Sequence, residues 1–261
     1  MIGKAVMYKI ALAVTVGLLG TVAGCMFGVT GSGRLETREF DYRDFTRVEA
    51  GSAFEVEITR ADSYRVTITA DDNVFGYLDI RKQGDTLHIG FRGIRGLVNT
   101  TQRAVITMPN LQGLNLSGAS KGRVGGFSSA NPLDLKLSGA SSLDTDNLEA
   151  GDTRFDVSGA GRVSGNIRIA NGKFDLSGAS RVELTGSATD ISIQASGASR
   201  LTLDDFTVRN ASVNLSGASS ATVNVSGQLD AKLSGASRLQ YSGNPTLGTI
   251  DVSAGSELRR S

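Results

Sequence analysis

Between residues 34 and 110 apolar and polar residues alternate with period two in four stretches: Phe54-Glu55-Val56-Glu57-Ile58, Tyr64-Arg65-Val66-Thr67-Ile68, Leu87-His88-Ile89-Gly90-Phe91 and Ala104-Val105-Ile106-Thr107-Met108. Alternation of this kind, carried by β-branched and aromatic residues, predicts strands with one face in a core. Ala70-Asp71-Asp72-Asn73 and Lys82-Gln83-Gly84-Asp85 between them are turn sequences. From Leu114 onward the pattern becomes a repeat. Apolar pairs at alternate positions, such as Leu135 and Leu137, Phe174 and Leu176, or Val213 and Leu215, each run directly into Ser-Gly-Ala-Ser.

That motif begins at residues 117, 138, 177, 196, 216 and 234, with Ser158-Gly159-Ala160-Gly161 and Ser253-Ala254-Gly255-Ser256 as variants. Successive copies are 21, 20, 19, 19, 20, 18 and 19 residues apart, the length of one coil of a β-solenoid. A second apolar pair often follows, as with Val182 and Leu184. The inward steps from Leu176 to Ala179 to Val182 break the two-residue pleat, so the motif reads as a corner, bent at Gly178 and again near Ser180. Glycine supplies the positive φ, and alanine is expected at the inside of the bend. Stacking the eight copies at ~4.8 Å gives a rod of roughly 34 Å, with a contour of about 65 Å per coil.

The predicted fold is therefore all-β, a single-stranded β-helix or β-solenoid with coils of about 20 residues. Residues 34–110 are expected to join it as wider, less regular turns; a separate subdomain is the alternative. Both ends of such a rod need capping, because strand edges invite pairing.

Composition narrows the function. With 33 Gly, 3 Pro and no Trp, the chain favours thin stacked backbone over a bulky core. Its 27 basic and 26 acidic residues nearly cancel, which argues against a nucleic-acid partner.

The first 24 residues read as a signal peptide: Lys4 and Lys9 flank the start, an uncharged run extends from Ile10 to Gly20, and Met7 is a second possible start. Val22-Ala23-Gly24-Cys25 resembles the lipobox of bacterial lipoproteins, making Cys25, the only cysteine, the expected lipid attachment site. Residues 25–33 would be a lipidated tether, rich in Gly and Ser, and residues 34–261 the folded part, with its repeats from 111 to 257. The membrane is thus the first expected partner, through the lipid on Cys25. Met26 is not the aspartate that retains lipoproteins at an inner membrane, so the expected location is the outer membrane, on its periplasmic or cell-surface face.

The Phe54–Ile58 strand, Ala70-Asp71-Asp72-Asn73, Gly84-Asp85-Thr86-Leu87-His88-Ile89, Ile106-Thr107-Met108-Pro109 and the serial Ser-Gly-Ala-Ser copies resemble the head GIN domain family of putative auto-transporter adhesins. The resemblance covers roughly residues 40 to 257. It implies a β-helix-like exported envelope protein, in many members a lipoprotein, without established enzymatic activity. The chain lacks the membrane barrel an autotransporter needs; a lipid on Cys25 would replace that anchor.

Candidate chemistry is sparse. His88, the only histidine, sits between inward Leu87 and Ile89 and so points outward. Asp71 with Asp72, Asp144 with Asp146, and Asp204 with Asp205 are the acid pairs a polysaccharide-cleaving β-helix would use; turn and surface roles account for them. Asp134, Asp156, Asp175 and Asp251 recur near strand ends as a possible exterior ladder, with Lys136, Arg154, Arg168, Lys173 and Arg181 as counter-charges. The glycines at 90–96 and 122–126 lack the Gly-Lys-Ser/Thr of a phosphate loop. No catalytic, cofactor-binding or metal-binding residue is expected. The resulting expectation is a non-catalytic, lipid-anchored envelope protein, an adhesin or scaffold, with a glycan or envelope-protein ligand and possible homo-oligomers. A polysaccharide-binding or polysaccharide-cleaving β-helix is the alternative.

Overall fold

A computed structural model describes residues 28–94 and 96–261; the signal segment and Cys25 lie outside the described residues. The chain forms a β-solenoid of about seven turns with coils about 20 residues apart. Each repeat runs through a strand before the Ser-Gly-Ala-Ser corner, the corner itself, and a strand after it. Thr153–Val157 and Arg162–Ile169 make one such coil, Asn171–Leu176 and the first half of Arg181–Ala195 the next. Pre-corner strands stack on pre-corner strands and post-corner strands on post-corner strands, all parallel within the repeat region.

The predicted inward positions become vertical columns. Leu114, Leu135, Phe155, Phe174, Ile193, Val213 and Ala231 lie in direct register and all are buried. Phe155 and Phe174 stack with ring centroids 4.5 Å apart and planes 5° from parallel, the inter-strand spacing itself. Each fully buried side chain of this size contributes about 1.5–3 kcal/mol, but only because a neighbouring coil covers it.

The corner differs from expectation in one respect. Gly139, Gly159, Gly178, Gly197, Gly217 and Gly235 do adopt φ of 70 to 77°. Ala179 and its counterparts, however, are exposed, and the residue inside is the final serine: Ser120, Ser141, Ser180, Ser199, Ser219 and Ser237 are 0 or 1% exposed. A left-handed glycine reverses the chain within one residue, tipping the alanine outward and the serine inward. The buried hydroxyl must then be bonded, and it is: Ser180 Oγ donates to the Ser177 carbonyl at 2.5 Å, and Ser199 Oγ to the Ser196 carbonyl at 2.7 Å.

Residues 45–125 join the same core but not in chain order. Arg47–Ala50 and Glu55–Arg60 form a coil whose upper neighbours are Gly113–Leu116 and Lys121–Gly125 and whose lower neighbours are Thr86–Phe91 and Gln102–Met108. Below these the direction reverses. Leu78–Gln83 pairs antiparallel with Thr86–Phe91, Arg65–Asp71 with Gln102–Met108, and Leu35–Phe40 with Arg65–Asp71. The expectation that this segment joins the solenoid holds for the coils at 47–60 and 86–108; for the strands at 35–40, 65–71 and 78–83 it is corrected to an antiparallel cap. The Gly84-Asp85 turn, with Gly84 at φ 61°, closes a hairpin, and a hairpin cannot continue a parallel stack.

The two ends are unlike. At the N-terminal end Arg38 pairs with Glu36 and lies over the Phe75 ring, 4.3 Å from its centroid; Arg38 is in register with inward-facing Ile68, and a charge on the inner face of an edge strand blunts further pairing. At the C-terminal end Thr246–Val252 leaves Leu247 45% and Val252 41% exposed.

Residues 28–33, expected to belong to a tether, are fastened to this cap. Val29–Thr30 pairs with Leu97–Val98. Asp71, 1% exposed, accepts the backbone N–H groups of Gly33 and Thr101, each at 2.7 Å. Asp72 accepts from the Ser32 hydroxyl at 2.5 Å and pairs with Arg34 at 2.9 Å. The Ser32 hydrogen bond, followed by Arg34, holds the Asp72 carboxyl below its ordinary value. This contribution is present above the ordinary carboxylate pKa and is lost as pH falls through the lowered one.

Two outcomes are expected. Gly178→Ala forces alanine to φ 76° and puts its Cβ 2.5 Å from the Gly159 carbonyl oxygen, so it should lose about 3 kcal/mol in urea unfolding, whereas Ala179→Ser, one residue on and exposed, should stay within about 0.5 kcal/mol. Equal effects would contradict the corner geometry. Asp71→Ala strips partners from two backbone donors and should cost about 2–4 kcal/mol, with faster amide exchange at residues 28–34 and 99–102.

Candidate functional site: the exterior ladders

Because every inward column implies an outward one, the surface is a grid whose rows follow the strands and whose columns follow the rod. On the pre-corner sheet one column reads Arg81, His88, Glu49, Asn115, Lys136, Asp156, Asp175, Gln194, Asn214, Lys232 and Asp251. His88 points outward as expected, with Nδ1 3.1 Å from Glu49 Oε2.

The expected acid ladder is only partly a column. Asp156 and Asp175 are in register, but Asp134 lies in the neighbouring column, opposite Arg154, and Asp251 is separated from Asp175 by Gln194, Asn214 and Lys232. Asp134 lies four residues before its corner serine, Ser138, whereas Asp156, Asp175 and Asp251 each lie two before theirs, and the strands are in register counted from the corner. Arg154 pairs with Asp175 at 2.6 Å, with Lys173 3.8 Å from the same oxygen, and Arg47 pairs with Asp134 at 3.0 Å. A shallow depression of about 480 Å³ runs along this sheet beside Asp156, Asp175, Gln194, Asn214, Ser177, Ser196 and Ser216. It presents carboxylates, amides and hydroxyls in successive coils.

The other acid pairs are dispersed. Asp71 and Asp72 serve the N-terminal fastening. Asp144 and Asp146 face outward on either side of buried Thr145, and Asp144 lies 3.6 Å from Arg123. Asp204 and Asp205 are exposed at a bulge between Leu203 and Thr207. Arg168 bridges to Glu149 at 3.0 Å; the Ser128 hydroxyl, then this arginine, hold the Glu149 carboxyl below its ordinary value. Among the described residues no group of three His, Cys, Asp or Glu is placed to hold a metal ion, and no helix is long and apolar enough to cross a membrane, which leaves β-barrels aside.

One feature escaped sequence reading. On the post-corner sheet the residue directly after each corner forms the column Lys121, Ser142, Arg162, Arg181, Arg200, Ser220, Arg238, Glu257. Arg181, expected to balance the acids, is within 4.0 Å of no carboxylate among the described residues; Arg162 and Arg200 share that state. Its signal was the position itself, basic in five of eight copies.

A parallel β-solenoid with ordered polar exterior columns and an antiparallel N-terminal cap is the class these features define. The chain belongs to the family described as putative auto-transporter adhesin, head GIN domain, whose model matches residues 44–245. Among solved structures, a putative lipid binding protein from Parabacteroides distasonis ATCC 8503 is 19% identical with a TM-score of 0.83, over 89% of this chain and 99% of that one. A putative adhesin from Parabacteroides merdae ATCC 43184 is 17% identical, TM-score 0.82, over 90% and 99%. A second from P. distasonis ATCC 8503 is 18% identical, TM-score 0.81, over 90% and 100%. At these identities the likeness is one of fold. No curated protein matches the chain.

Proposed function

We propose that this chain is a non-catalytic cell-envelope adhesin, anchored through a lipid on Cys25, that holds a rigid solenoid away from the membrane and binds glycans along its exterior columns. The observation that carries this reading is the repetition of hydrogen-bonding groups on the pre-corner sheet. Asp175, Gln194 and Asn214 recur at strand spacing beside Ser177, Ser196 and Ser216. A polymer with a repeating pattern of hydroxyls can be met by such a column at several points at once, and several weak contacts along one ligand multiply into useful avidity.

The anchoring geometry supports the same reading. From Val29 the chain is paired into the N-terminal cap, and the four residues from Cys25 to Val29 reach at most about 14 Å. A lipid on Cys25 would therefore keep the capped end at the membrane and direct the C-terminal end outward. The name of one structural relative mentions lipid binding; the described surface offers columns of polar groups rather than an enclosed apolar cavity, which favours the adhesin reading for this chain.

Two experiments test this. Protease added to intact cells should cleave the protein, and Cys25→Ser should release it from the membrane fraction; protection until permeabilisation would overturn surface adhesion. On glycan arrays, Ser177→Asp with Ser196→Asp and Ser216→Asp should weaken binding by about tenfold or more without lowering the unfolding midpoint by more than a few degrees. Unchanged binding would remove the pre-corner column from the site.

A further inference from the structure

We propose that Arg162, Arg181 and Arg200 form a binding row for an acidic polysaccharide, one carrying carboxylates on successive sugars. Three stacked strands place these side chains in direct register, about 4.8 Å apart, and all are exposed. Like charges directly opposite one another on neighbouring strands are destabilising. Elsewhere the same sheet avoids that cost: Arg103 pairs with Glu57 at 2.6 Å, Lys121 with Glu55 at 3.5 Å, Arg123 with Asp144 at 3.6 Å and Arg238 with Glu257 at 2.9 Å. Only the middle of the rod stacks three arginines without a carboxylate within 4.0 Å among the described residues. Among the described residues the one side-chain hydrogen bond of the row is Arg200 Nε donating to Ser220 Oγ at 3.3 Å. The adjoining outward column contributes Ser164, Glu183 and Thr202, so one acid offsets three bases and the patch stays positive.

The shape of the corner indicates the ligand class. Beside the arginines run the exposed alanines of the corner, Ala160, Ala179 and Ala198, a low ridge over which an extended polymer can lie along the rod axis. Guanidinium groups match carboxylates in planar, two-point fashion, and anions recurring once per coil would separate the stacked charges. No aromatic side chain stands in either column, so the stacking platform that single-stranded nucleic acids use is missing.

This inference deepens the glycan-binding reading and can fail independently of it. The test is calorimetric titration of the purified full chain with polygalacturonate, with dextran and oligo-dT as comparisons. Polygalacturonate should bind and dextran should not, and the affinity should fall with added salt. Arg181→Gln should weaken binding about threefold, and the triple Arg-to-Gln variant roughly 30-fold, with an unfolding midpoint equal to or above that of the unmodified chain because like-charge stacking is relieved. Unchanged binding by the triple variant, oligo-dT binding as tight as polygalacturonate, or a lowered midpoint would each overturn the proposal. Loss of glycan binding in the serine-to-aspartate variant alone would leave the adhesin reading standing and this row without a role.

Discussion

At each corner the backbone of one coil rests on the backbone of the coil before it. The Ala179 N–H donates to the Gly159 carbonyl and the Ala198 N–H to the Gly178 carbonyl, each at 2.7 Å. A parallel stack can carry its hydrogen-bond ladder through a bend only if the bend has the same shape in every coil. That requirement explains why the motif is repeated rather than merely similar. Glycine meets both demands, since φ near 70° is strained for other residues and a Cβ would strike the oxygen below. With the ladder continuous, the inward columns fall into register and the core forms; without it, no coil buries its own apolar face. The eighth copy shows the limit: Ala254 occupies the glycine position at φ 52°, and among the described residues the corner bond that the earlier coils make, here from the Gly255 N–H to the Gly235 carbonyl, is missing.

Much of this was legible in the sequence because period and spacing are sufficient to specify a stacked fold. The inward pairs from Leu114 to Leu233 and the glycine corners are where alternation and the 20-residue repeat place them. Ala179 and Ser180 exchanged roles because residue size alone does not tell which of two small residues turns in. The left-handed glycine decides it by reversing the chain, so that even Gly161 takes the inward place in its copy, and where that residue is serine its hydroxyl is satisfied by the carbonyl three residues back. The antiparallel cap and the out-of-order coil at Arg47–Arg60 were illegible for a different reason. Alternation predicts that a segment is a strand, but nothing local in Glu55–Arg60 says that its neighbours are 48 residues away on one side and 66 on the other.

The exterior was less legible than the core. Net charge near zero conceals how the charges are arranged, and a column is visible only once the strand register is known. Coils of 18 to 21 residues make spacing from one copy to the next a poor guide to height on the rod, whereas the offset from the corner is exact: Asp156, Asp175 and Asp251, two residues before their corners, share a column, and Asp134, four before its own, does not. Counting from the corner instead of from the preceding copy would have found the arginines, because the corner is the one point that every coil shares.

The solenoid thus separates stability from recognition. Apolar columns, buried serines and corner glycines hold the rod; the outward side chains contribute little to it, since exposed ion pairs are worth at most about 1 kcal/mol each. A coil can therefore exchange its outward residues without disturbing its inward ones, which is how Lys121, Ser142 and Arg162 come to occupy equivalent positions on one scaffold. The three arginines stand against that background. A surface free to place an acid or a serine in any coil, and which pairs Arg103, Lys121, Arg123 and Arg238 with carboxylates on the same sheet, stacks three arginines in adjacent coils with no carboxylate within 4.0 Å among the described residues; the scaffold does not require them, so their reason lies in what the surface meets.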